Sequence, residues 1–198
     1  ITTASNNTAV GSNALVQSTA SNNTAVGKDS LKVNTSGTDN TAVGSLSLDA
    51  NTTGYGVTGV GKHALGANTT GNYNTAIGDA ALESNTTGGD NTALGRAALR
   101  NSTTASNNTA VGRSALYDNT TGASNVAVGN NALLSNTTGI NNTALGINAL
   151  DANTTANNNT AIGRNSLTAN VTGTRNVGVG SSTLAAATGS DNVAVGAT

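Results

Sequence analysis

The chain has 198 residues, of which 2% are aromatic and 9% charged, against about 25% charged in ordinary globular domains. Its net charge of −1 is spread without a basic or acidic block, so the electrostatic footprint of a nucleic-acid or anionic-membrane partner is missing. With no Cys there is neither a disulfide framework nor thiolate chemistry, and no apolar run reaches the ~20 residues of a membrane-spanning helix. Asn, Thr and Gly number 32, 34 and 25 and make up nearly half the chain. The absence of Pro and the strict placement of apolar residues argue against disorder.

That placement is a repeat. Gly11, Gly27, Gly44, Gly61, Gly78, Gly95, Gly112, Gly129, Gly146, Gly163, Gly180 and Gly196 lie 17 residues apart, with first and last intervals of 16. A leucine stands four residues after each of the first eleven, from Leu15 to Leu184. So strict a period is the mark of one short unit stacked on itself.

Taken in chain order, each unit opens on a pentad such as Asn91-Thr92-Ala93-Leu94-Gly95. β-Branched residues and Gly break every helical period, so the pentad reads as a strand. The x-Ala-Leu-x segment that follows reads as a second strand. Asn-Thr-Thr-Gly then closes the coil, because Asn and Gly tolerate positive φ and Asn and Thr bond local backbone. The fold class expected is all-β: a parallel β-roll, or β-solenoid, of about twelve 17-residue coils, running as one array over residues 1–198. At about 4.8 Å per coil the rod is roughly 55 Å long. Identical residues stack, and Asn74, Asn91, Asn108, Asn125 and Asn142 form a ladder that bonds amide to amide along the axis.

All seventeen charged residues fall at variable positions, just after the Gly, just after the Leu or before the pentad. The pentad and the Ala-Leu pair are therefore the buried segments, and the variable positions face solvent. Neighbouring strand residues point to opposite faces. Ala-Val and Ala-Leu thus put apolar side chains on both faces, and a lone rod would expose a long apolar stripe. The expected solution places Ala inside the coil and the larger residues against partner chains in a parallel oligomer. Val43, Leu48, Ile77, Leu82, Leu94, Leu99, Val111, Leu116, Val128 and Leu133 represent this interface. The alternative is a flattened coil whose inside takes both sets.

Little else carries chemistry. His63 reads as an exposed corner residue. Gly54–Gly59 contains a G-x-G without the strand and helix of a phosphate loop. No metal, cofactor or catalytic constellation is expected, and an enzyme is the least favoured class. Asn51, Asn68, Asn85, Asn119, Asn136 and Asn153 begin Asn-x-Ser/Thr sequons, a by-product of the repeated corner. One coil is irregular: Val57 replaces the ladder Asn and Gly59 the Ala. Tyr55, Tyr73 and Tyr117 sit at corners as scattered rings that a sugar could use.

The motif Asn-Thr-Ala-Val-Gly-x-x-Ala-Leu resembles the head repeats of YadA-like trimeric autotransporter adhesins. With Asn-Thr-Thr-Gly added it resembles the repeat arrays of tail-fibre-like proteins more closely. The resemblance covers nearly the whole chain. It implies a left-handed roll, a homotrimer and a place on a cell or virion surface, as a rigid spacer and adhesive segment. YadA-type coils are shorter, near 14 residues, so the corner here is enlarged. The alternatives are a dedicated carbohydrate-binding head and an ice-binding solenoid that uses its Thr ranks. Expected partners are two further copies of the chain and a host glycan or matrix receptor. The ends, which fall inside the repeat, predict either a window of a longer chain or end-to-end stacking.

Overall fold

A computed structural model describes residues 4–197. It contains twelve three-residue strands: β1 (Thr8–Val10), β2 (Thr24–Val26), β3 (Thr41–Val43), β4 (Thr58–Val60), β5 (Thr75–Ile77), β6 (Thr92–Leu94), β7 (Thr109–Val111), β8 (Val126–Val128), β9 (Thr143–Leu145), β10 (Thr160–Ile162), β11 (Val177–Val179) and β12 (Val193–Val195). They form one parallel sheet in sequence order. Thr92 pairs with Thr109, Ala93 with Ala110 and Leu94 with Val111, and the same register recurs between every neighbouring pair. One repeat is one turn of a β-solenoid, and eleven turns separate the first strand from the last.

The reason for the register lies at glycine. Gly95 has a φ of 134°, and a Cβ there would lie 2.6 Å from the carbonyl oxygen of Gly112 in the next turn. Only a residue without a side chain lets successive turns approach this closely, and only glycine adopts this φ cheaply.

The segment expected to be a second strand is instead a pair of tight turns. The Ala98 N–H donates to the Gly95 carbonyl at 3.3 Å, and the Ser102 N–H to the Leu99 carbonyl at 3.1 Å. Ala97 and Leu99 have φ values of 57° and 52°. The alternation of faces that holds in a strand fails in this left-handed backbone, so Ala98 and Leu99 both turn inward and both are fully buried. In a regular coil the interior therefore holds the strand Ala, the turn Ala and the Leu, while the strand Val, Ile or Leu points out. This corrects the expectation that Leu48, Leu82, Leu99, Leu116 and Leu133 meet partner chains: all five are sealed within one chain. A left-handed leucine costs about 1–2 kcal/mol. Burying its side chain contributes about 1.5–3 kcal/mol. The leucine keeps its conformation because the interior needs its volume.

Gly59 and Gly178 replace the strand Ala for a local reason. Ser47 stands across the coil from Gly59, donating from Oγ to the Gly59 carbonyl at 2.9 Å, and Ser166 does the same to Gly178 at 3.0 Å. A Cβ on either glycine would lie 2.7 Å from that Oγ. The hydroxyl occupies the space that a methyl fills elsewhere.

Two outcomes follow. Leu99→Ala should lose about 3 kcal/mol in chemical denaturation, whereas Arg113→Ala on the exposed corner should change stability by less than about 0.5 kcal/mol. Gly59→Ala should cost about 1–3 kcal/mol by overpacking, and adding Ser47→Ala should recover most of it. Simple additivity of the two changes would refute the pairing.

Candidate functional site

The strand face that looks outward carries two parallel ranks. One is Thr, from Thr8 to Thr160, replaced by Val126, Val177 and Val193. The other is aliphatic, the last residue of every strand. Between them the Ala or Gly points into the coil and is buried in β2 through β11. Of the residues expected at an interface, Val43, Ile77, Leu94, Val111 and Val128 lie on this outward face. Ile77 is 40% and Leu94 45% exposed, and the three valines are half-buried. The face continues over twelve strands.

Behind it run two columns of asparagine. In the first, Asn74, Asn91, Asn108, Asn125 and Asn142 are fully buried. The Asn91 amide donates from Nδ2 to Asn74 Oδ1 at 3.0 Å and to the Ala105 carbonyl at 2.8 Å. The Asn91 backbone N–H also donates to Asn74 Oδ1, at 3.0 Å, so each amide ties two turns together.

The second column is the Asn of the Asn-Thr-Thr-Gly corner, which sequence reasoning left as a solvent-facing turn. Asn51, Asn68, Asn85, Asn119, Asn136 and Asn153 are all fully buried. Asn68 donates from Nδ2 to Asn51 Oδ1 at 2.9 Å and to the Gly71 carbonyl at 3.0 Å. Their period of 17 was the available signal. With Nδ2 buried and bonded, these sequons cannot carry a glycan in the folded chain.

Each column has a flaw. Ser102 takes an Asn position, and Asn85 Oδ1 and Ser102 Oγ are left buried without a hydrogen-bond partner. Val57 interrupts the first column and is itself fully buried. Gly88 O accepts from both Asn74 and Asn85, whereas at Gly71 O the donor from the first column is lost and Asn68 bonds it.

The corners hold the remaining polar chemistry. Tyr55 and Tyr73, read as scattered, pack edge to face with ring centres 5.1 Å apart and are 40% and 57% exposed. The Tyr55 hydroxyl beside it raises the Tyr73 hydroxyl above its ordinary pKa. Tyr117 lies on a different corner, where Arg100 donates to its hydroxyl at 3.0 Å and to Glu83 at 2.7 Å. Glu83 first, and Tyr117 second, hold the Arg100 guanidinium above its ordinary pKa.

Two corner expectations are corrected. His63 is half-buried and lines a cleft. Asp29, expected in solvent, is buried and accepts from Asn13 Nδ2 at 2.9 Å. That bond, with Lys32 beside it, holds the carboxyl below its ordinary pKa although burial opposes it.

Among the described residues no three His, Cys, Asp or Glu side chains are placed to hold a metal, and no helix is long and apolar enough to cross a membrane. No protein-family model, curated protein or solved structure matches the chain.

The flaw at Ser102 offers a direct measurement. Ser102→Asn places a donor on Asn85 Oδ1 and an acceptor under Asn119 Nδ2. It should raise stability by about 1–2 kcal/mol, read as a higher denaturation midpoint at constant slope. No gain would show that the column does not act as a bonded unit.

Proposed function

We propose that this chain is a rigid segment of a homotrimeric surface fibre, in which the outward strand face is the contact between copies and the corners face the surroundings. One observation carries the reading: the aliphatic rank is outward and partly exposed along twelve consecutive strands. An isologous or cyclic contact buries the whole rank at once, because every turn presents the same residue. The interior supports a spacer role. Its turns are stacked in one continuous register and joined by backbone hydrogen bonds from one turn to the next. The resemblance of the repeat to trimeric adhesin heads and tail-fibre arrays points the same way. It supports a fibre outside the cell or on a virion, with a glycan or matrix receptor as the partner of its corners.

A second reading draws on the same face. A Thr rank and an aliphatic rank lie side by side on it, at the inter-strand spacing of about 4.8 Å. Both readings use one surface and exclude each other, since a trimer hides what ice would need. Freezing-point hysteresis from a monomeric rod would favour the second.

Light scattering of the purified chain should give three times the chain mass. Replacing Ile77, Leu94 and Val111 together with Asp should yield a folded monomer with unchanged far-ultraviolet circular dichroism, since none of the three is needed inside the coil. A wild-type monomer at micromolar concentration would sink the fibre reading.

A further inference from the structure

A cleft of about 530 Å³ opens on the corner beyond the buried leucines, lined by Asp49, His63, Gly66, Glu83, Arg100 and Asn101 among others. Its volume falls in the range of small-molecule sites, roughly 300–1,000 Å³. Its origin is one residue. The column just after the leucine runs Asp49, Gly66, Glu83, Arg100, Tyr117, Leu134, and Gly66 alone of these lacks a side chain.

Neither backbone nor crowding requires that glycine. Unlike Gly95, Gly66 is outside the left-handed region, and a Cβ there would meet its nearest neighbours, His63 O and Asp49 Oδ1, at 3.4 and 3.5 Å. Those are ordinary contacts. The neighbouring turns hold Asp, Glu, Arg and Tyr at this position, so the fold tolerates large residues. The consequence of Gly66 is the hollow itself, with Asp49 on one side and Glu83 on the other.

The walls select a ligand by charge. Glu83 and Arg100 pair at 2.7 Å, so neither offers a free charge to a ligand. The Asp49 carboxylate on the opposite side would repel an anion. Burial raises the Asp49 carboxyl above its ordinary pKa. What remains is a dense set of donors and acceptors with little net charge: carboxylate oxygens, a guanidinium, an imidazole and the Asn101 amide. Adjacent hydroxyl groups, each both donor and acceptor, match such a set.

We propose that this cleft binds a neutral saccharide unit. Asp49 and Glu83 accept from adjacent hydroxyls, Arg100 and Asn101 donate to ring or hydroxyl oxygens, and Gly66 provides the space. The assignment rests on the fibre reading and names the chemistry that one of its corners contacts.

The test is saturation-transfer NMR with titration of the full chain, using methyl glycosides of neutral hexoses and N-acetylhexosamines. A hexosamine and a hexuronate serve as the cationic and anionic counterparts. Gly66→Gln should abolish transfer by filling the hollow, and Asp49→Asn should weaken binding by about tenfold or more through loss of a charge-assisted bond. Both variants should keep the wild-type oligomeric mass and melting transition. The proposal is overturned if no neutral sugar shows transfer, if a charged counterpart binds more tightly, or if binding survives in Gly66→Gln. A trimer that binds no sugar overturns the cleft and leaves the fibre; a monomer overturns the fibre, and the sugar titration is read independently.

Discussion

Everything in this molecule depends on the close stacking of one turn on the next. The local hydrogen bonds of a coil are mainly those of its two tight turns, such as Ala98 to Gly95 and Ser102 to Leu99. Its backbone N–H groups are satisfied mainly by the turn above or below: Thr92 by Asn108, Gly95 by Ile77, Leu99 by Ala115 and Thr103 by Thr120. Stacking this tight puts like residues in columns. A column of Asn side chains can then bond to itself, and a column of Gly can admit backbone where a Cβ would collide. The polar composition, which would deny a globule its core, becomes an interior because most of the buried amides meet a copy one turn away.

The same stacking explains why strain is tolerated. Three non-glycine residues in a typical turn, such as Ala97, Leu99 and Asn107, have φ between 52° and 62°. A single turn could not hold them. Each left-handed residue, however, sets the direction of a side chain or a corner that the neighbouring turns also need, so the cost is shared by a cooperative array. The leucine is the clearest case. Its conformation is unfavourable alone, and its burial among Ala and Leu of adjacent coils offsets it.

Much of this was legible in the sequence. The glycine period identified the solenoid, the parallel register and the strand at the pentad. The charges marked the corners, with Asp29 the exception, because the Asn13 amide one turn earlier donates to its carboxylate. The place of the leucines was not legible, for a definite reason. Face alternation holds only in extended backbone, and no propensity scale signals the left-handed Leu99 that turns inward beside Ala98. The second Asn column was hidden by the habit of assigning Asn-Thr-Thr-Gly to solvent, although its period matched that of the first. The Ser47–Gly59 and Ser166–Gly178 pairs sit twelve residues apart, within a turn rather than one turn on, so the 17-residue period does not reveal them. Tyr55 and Tyr73 are 18 residues apart and occupy adjacent columns, which concealed their contact.

The interior accounts for the rod, and the outward strand face remains as the surface that a solvated rod leaves unexplained. Its aliphatic rank does no work inside the coil, yet every strand supplies it. The chain has no cysteine, so a single introduced thiol reports on that face without interference. The decisive measurement is cross-linking of Val111→Cys with a short bis-maleimide, compared with Arg113→Cys on the adjacent corner. The account predicts rapid covalent linkage between chains through residue 111 and none through residue 113. Equal or greater linkage through the corner, with residue 111 unlinked, would contradict it.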